Sequence, residues 1–148
     1  MVNSIYTKKV ITTKANTNSV SSPRMYRGFS TVNTTTQNFA LYDFELIKQD
    51  LINQFHVRQG ERLMNPTYGC VIWELLFEPL TEDVRELILQ NVNQIVNSDP
   101  RIQASNVFVT TYDNGIQIEA TLTYVLYNLQ EQLQIQFDQT NGLTAQTI

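Results

Sequence analysis

At Asp99-Pro100-Arg101 the apolar repeat of this chain changes, from steps of three and four residues before the break to alternate residues after it. That change confines the chain to a fold in which helices come first and an antiparallel sheet follows, because side chains share a helix face at a period of 3.6 and a strand face at a period of 2. Before the break, Val84, Leu87, Ile88, Val92, Ile95 and Val96 form one stripe, with Arg85, Glu86, Gln90, Asn93 and Asn97 largely opposite. Thr81 is placed to cap this helix, and Glu82 and Asp83 suit the positive end of its dipole.

After the break, Asn114-Gly115 reads as a two-residue hairpin turn, because both positions tolerate positive φ. Pairing outward from Asp113 and Ile116 sets Thr111 opposite Ile118, Val109 opposite Ala120 and Val107 opposite Leu122, with Tyr112, Thr110, Phe108, Gln117, Glu119 and Thr121 on the other face. A third strand, Gln132 to Asp138, alternates Leu133, Ile135 and Phe137 with Gln132, Gln134 and Gln136. As the last strand it is expected to be an outer edge, for which glutamines are a mild safeguard compared with lysine or proline. The reading is an α+β domain with helices packed on one face of a three-stranded antiparallel meander.

Upstream, a helix is expected from about Asp43 to His56, with Asp43 as N-cap and Phe44, Ile47, Leu51 and Phe55 on one face. His56 suits the carboxyl end of that dipole. Gly60 and Gly69 permit unusual backbone angles and Pro66 bars Asn65 from helix, so the chain must turn before a second apolar helical run, Cys70 to Phe77, ended by Pro79. The single cysteine has no partner for a disulfide or a metal site and reads as a buried small side chain.

At 148 residues the chain is sized for one domain with one core. It holds no run of 18 apolar residues and no basic-then-apolar leader, which points to a soluble cytoplasmic protein and away from a membrane. With one histidine and one cysteine, neither a metal site nor a cofactor is expected. Five cations and no acid precede Asp43, whereas the other five cations share the remainder with all fourteen acids, giving +5 and −9. The cations are spread too thinly for nucleic acid, and a basic arm lying on an acidic protein neighbour is the better reading. Nineteen of the first forty residues are Ser, Thr, Asn or Gln. Residues 1–40 are therefore expected as an extended or disordered arm, 41–138 as the folded domain and 139–148 as a flexible tail.

Gly60-Glu61-Arg62, Asn65-Pro66-Thr67-Tyr68-Gly69, Leu76-Phe77-Glu78-Pro79 and Asp99-Pro100-Arg101 occur in that order, followed by the hairpin. Together, over about residues 40–138, they resemble the baseplate wedge family of contractile-tailed phages, named after a phage W gene product and related to a type VI secretion baseplate component. The family pattern has Glu-Pro-Arg where this chain has Asp99-Pro100-Arg101. The resemblance implies a non-enzymatic virion part assembled in the bacterial host cytoplasm and present in several copies in a symmetric baseplate. It would join other wedge proteins near the tail tube or hub and serve as the platform on which the tail sheath protein starts to assemble. Asp99, Pro100, Arg101, Asn65, Pro66 and Gly69 are then candidate partner contacts, and Gln132, Leu133, Gln134, Ile135, Gln136 and Phe137 the candidate sheath-facing strand, because strand addition at an edge uses main-chain hydrogen bonds.

Two other classes compete. Some relatives carry a lysozyme-like label, and a glycosidase needs two carboxyls flanking a cleft. Glu61, Glu74 and Glu78 are the nearest candidates, with Glu74 and Glu78 on one helix face at four-residue spacing. The other alternative is a stand-alone protein-binding module, which would be found outside tail particles.

Overall fold

The computed structural model describes residues 24–30 and 40–148. Its elements are β1 (Arg27–Phe29), β2 (Ala40–Tyr42), α1 (Asp43–His56), α2 (Ile72–Leu75), α3 (Glu82–Asn97), β3 (Ile102–Tyr112), β4 (Gly115–Tyr124), β5 (Leu129–Asp138) and β6 (Gly142–Thr147). β3, β4, β5 and β6 form a four-stranded antiparallel meander in sequence order, and β1 and β2 pair as a separate ribbon. No helix of the described residues is long and apolar enough to cross a membrane.

The α+β architecture is the one the change of period dictates, with one strand more than expected in the meander and the β1–β2 ribbon besides. One core joins Ile47, Leu51 and Phe55 of α1 and Ile88, Val92, Ile95 and Val96 of α3 to the inward residues of the sheet. Phe137 lies at its centre, 0% exposed, with the Trp73 ring edge-on at 5.2 Å and Phe55 edge-on at 6.2 Å. The Trp73 indole N–H donates to the Phe55 carbonyl at 2.8 Å, so the bulkiest anchor also ties α2 to the end of α1. Such an aromatic cluster combines large buried area with the edge-to-face geometry that rings prefer.

The two long helices match the apolar spacing, with local differences. Thr81 caps α3, its hydroxyl accepting from the Val84 N–H at 3.4 Å. Leu87, expected in the stripe, is 45% exposed, and buried Asn91 takes a place on that face, its side-chain oxygen accepting from the Val71 N–H. The Cys70–Phe77 run yields only the single turn of α2, so Glu74 and Glu78 do not share a helix face. Cys70 is fully buried, and burial pushes its thiol up to about 12.

Asp43 is not the expected N-cap. Tyr42 holds that position, and Asp43 takes φ +49. Its carboxylate instead accepts from the N–H groups of Met25 and Tyr26, at 2.8 and 3.1 Å, and from the Tyr127 hydroxyl at 3.0 Å. These donors, the Tyr26 N–H foremost, hold the carboxyl below its usual range. Asp43 thus latches residues 24–30 onto the body. Within the expected arm of residues 1–40, Arg27–Phe29 form a strand, and residues 1–23 and 31–39 lie outside the described residues.

The hairpin register is two residues away from the expected one. Tyr112 pairs with Gly115, Thr111 with Ile116 and Val109 with Ile118, so Asp113-Asn114 is the loop and Gly115 belongs to β4. Gly115 is required for space, since a Cβ there would collide with the Phe137 carbonyl and the Tyr112 ring. A shift of two keeps every side chain on its predicted face, because strand faces alternate with period two. Beyond it a β-bulge between Ser105 and Phe108, with Asn106 at φ +50, restores inward-facing Ala104 and Ile102.

The carboxyl-terminal end departs most from expectation. Residues 139–148, read as a flexible tail, carry β6, which pairs with β5 from Leu133↔Thr147 to Asp138↔Gly142. Gln132 to Phe137 is therefore an interior strand, bonded to β4 on one side and to β6 on the other. The outer strands are β3 and β6.

Candidate functional site

The Asp99-Pro100-Arg101 corner is built by the end of α3. The Ser98 N–H closes the helix on the Gln94 carbonyl, and Asp99 then turns its side chain back to accept from the Arg101 N–H at 3.0 Å. The Arg101 guanidinium grips the same carboxylate through Nε and Nη2, the latter at 2.6 Å, and reaches Asp50 of α1 at 3.1 Å. Its carbon lies 5.3 Å from the centre of the Tyr26 ring. The Arg101 hydrogen bond holds the Asp99 carboxyl below its usual range, and the Asp99 hydrogen bond in turn raises Arg101. A planar, bidentate donor on a proline-stiffened turn is a rigid joint between α1, α3 and the start of the sheet.

The Gly60–Gly69 segment is a second rigid corner. The Gly60 N–H donates to the Pro66 carbonyl at 2.9 Å, closing the loop on itself, and Asn65 accepts from Tyr68 N–H and, through its side chain, from Thr67. Gly69 adopts φ +115 where a Cβ would stand 2.7 Å from the Val57 carbonyl oxygen, so the base of the loop presses on the end of α1. A short parallel bridge, Arg58↔Cys70, seals that base.

These two corners meet. A surface groove of about 550 Å³ is lined by Tyr26, Asp50, Tyr68, Asp99, Pro100 and Arg101 among others. An adjoining hollow of about 150 Å³ includes Asn65, Tyr68 and Gly69, so Tyr68 borders both. Of the six residues singled out from sequence, five line this continuous surface, and Pro66 acts behind it by closing the loop. Asp50, Tyr26 and Tyr68 were missed as members. Nothing local signals Asp50, which lies fifty-one residues from Arg101.

The second surface is the β6 edge. The Ile148 N–H donates to the Gln132 carbonyl at 3.0 Å. With the unbroken register, this turns the N–H groups of Thr144 and Gln146 toward β5 and those of Leu143, Ala145 and Thr147 outward, because antiparallel partners alternate. No described strand pairs with that outer side. Below the edge a groove of about 400 Å³ runs between α1 and β6, with Lys48, Ile52 and His56 on one wall and Leu143, Ala145 and Thr147 on the other. Lys48 bridges it, donating to Glu131 at 2.9 Å and to the Thr147 hydroxyl at 3.3 Å. Glu131 also accepts from the buried Tyr124 hydroxyl at 2.8 Å. Burial opposes its charge, but the donors Lys48, Tyr124 and Thr147 outweigh burial and hold its carboxyl below the usual range. The His56 Nδ1 lies 2.9 Å from the Ile52 carbonyl, one turn back along α1.

The candidate carboxyls of a glycosidase are not gathered into a cleft. Glu61, Glu74 and Glu78 are all exposed, and Glu61 accepts from the Arg58 N–H at the loop base. None of the three lines the grooves above.

The fold, with helices on one face of a four-stranded meander, is shared with a solved structure. That structure is a protein of Geobacter sulfurreducens named as a tail lysozyme, with a TM-score of 0.52, 21% sequence identity, and coverage of 62% of this chain and 90% of that chain. At that identity the likeness concerns the fold alone. No match was found among curated proteins. A family model described as baseplate wedge protein gp25 matches residues 43–131, more than half of the chain, and the chain belongs to that family. Its role is that of a structural protein of the phage tail baseplate.

Proposed function

We propose that the chain joins wedge subunits in the inner baseplate near the tail tube and provides the platform on which the tail sheath begins. It does so without catalysis, in several symmetric copies, after assembly in the host cytoplasm. The groove joining Asp99, Pro100 and Arg101 to Asn65 and Gly69 is the proposed contact with other wedge proteins. The sheath-facing element is β6, not the interior strand Gln132 to Phe137.

The observation that carries this reading is the β6 edge. Gly142-Leu143-Thr144-Ala145-Gln146-Thr147 contains no charge and no proline, the devices that normally keep an edge strand from pairing with another chain. A strand from a sheath subunit added there would gain main-chain hydrogen bonds at Leu143, Ala145 and Thr147. Ala145→Pro tests this, because it removes one outward donor and leaves the bonds to β5 in place. The expected result is a folded subunit, complete baseplates and tubes without sheath. Sheathed, contractile tails from this variant would overturn the assignment. For the competing hydrolase reading, a lysis assay on cell-wall substrate is decisive: turnover lost in Glu74→Gln would favour it.

A further inference from the structure

The turn residues of the Gly60–Gly69 loop are occupied in shaping it, and what the loop displays is a pair of apolar side chains. Leu63 and Met64 are 95% and 98% exposed at its tip. The backbone on both sides of them is fixed, with Asn65 N–H donating to the Arg62 carbonyl and Tyr68 N–H to the Asn65 carbonyl, each at 3.1 Å. Arg62 directly precedes the pair and Arg58 stands at the loop base, and both are held on aromatic faces: Arg62 lies 3.8 Å over the Tyr68 ring and Arg58 5.8 Å over Trp73. Neither forms an ion pair with a described carboxylate. The loop is thus a preformed apolar knob on a stem that carries two arginines, on a chain whose residues from Asp43 onward are strongly acidic.

We propose that Leu63 and Met64 insert into an apolar socket on a different baseplate subunit, one whose rim carries carboxylates that meet Arg58 and Arg62. This rests on the reading of the chain as a wedge-joining subunit and names the side chains and partner chemistry of one of its contacts. Rigid presentation favours such a role, since a knob already held in its bound shape loses little freedom on docking. Buried apolar anchors ringed by complementary charge are the usual centre of a tight contact.

The test uses purified tail particles carrying p-benzoylphenylalanine at position 63 or 64, together with the double variant Leu63→Ser/Met64→Ser. Photo-cross-links are expected to a different baseplate subunit, in a segment holding apolar residues with Asp or Glu nearby. The double variant should unfold at the wild-type temperature yet enter tails at least tenfold less efficiently. Cross-links only to a second copy of this chain or to sheath, no cross-link at all, or wild-type incorporation of the double variant would each overturn the proposal. Should the double variant enter tails normally while Ala145→Pro still yields tubes without sheath, the knob alone is wrong. If the wild-type chain is missing from tails, the wedge reading fails with it.

Discussion

β3 and β6 both border the sheet and both lack charge and proline, yet β3 carries a bulge at Asn106 across its Ile102–Tyr112 span whereas β6 pairs without interruption through all six of its residues. A bulge twists and interrupts an edge, which makes it a poor template for another strand. β6 has no such interruption, and it lies above a groove that an incoming strand's inward side chains would enter. If β6 is the joining surface proposed above, the difference teaches that exposure of an edge is not enough to mark such a surface; regular spacing of its outward donors matters as well.

Proline scanning gives the largest expected effect on that comparison. Gln136→Pro deletes an N–H that pairs interior β5 with β6 and should cost about 3 kcal/mol or more, whereas Ala145→Pro should stay within about 1 kcal/mol of wild type. Urea unfolding of the two variants checks the ordering. Equal losses would mean that β6 does not have its Ala145 N–H facing outward.

A smaller effect is expected on the bulged side. Asn106 sits at φ +50, where a β-branched residue is strained, so Asn106→Val should destabilise by about 2 kcal/mol while Asn106→Gly changes stability by only a few tenths. Thermal unfolding separates these outcomes. Tolerance of valine would show that the bulge is not what protects this edge.

Smallest is the acid sensitivity of the clamp that holds the end of β6. Glu131 has a folded-state pKa below its ordinary value, so its contribution is present above the unfolded value and is lost as pH falls through the folded one. Stability should therefore drop below about pH 4, by about 1 kcal/mol from this site. Glu131→Gln should flatten that part of the profile in urea midpoints measured between pH 7 and pH 3. An unchanged acid slope would remove the Lys48–Glu131–Tyr124 network from the account.

Much of this was legible in the sequence where side-chain chemistry is strongly periodic. α1 and α3 followed from apolar stripes, and the sheet faces survived even a two-residue error in the hairpin because the error kept parity. The error arose because Gly115 looked like a turn glycine, while its actual requirement is space beneath the Phe137 carbonyl, a contact twenty-two residues away in sequence. β6 was missed because on its inward face only Leu143 and Ala145 are apolar and the other residues are small or polar, the composition of a tail. At the corner, the Asp99-Pro100-Arg101 motif stood out as the break in period, whereas the ion pair within it is a finding of the structure. Asp50 and Tyr26 became visible only once α1 and the latched segment were folded over it.

Hydrogen exchange of the β6 amides, compared between free subunit, sheathless baseplates and sheathed tails, tests the central claim most directly. The Thr144 and Gln146 amides, bonded to β5, should be protected in all three states. Those of Leu143, Ala145 and Thr147 should exchange quickly in the free subunit and in sheathless baseplates, and become protected once sheath is present. Fast exchange of these three amides in sheathed tails, matching the free subunit, would contradict the assignment of β6 as the strand on which the sheath begins.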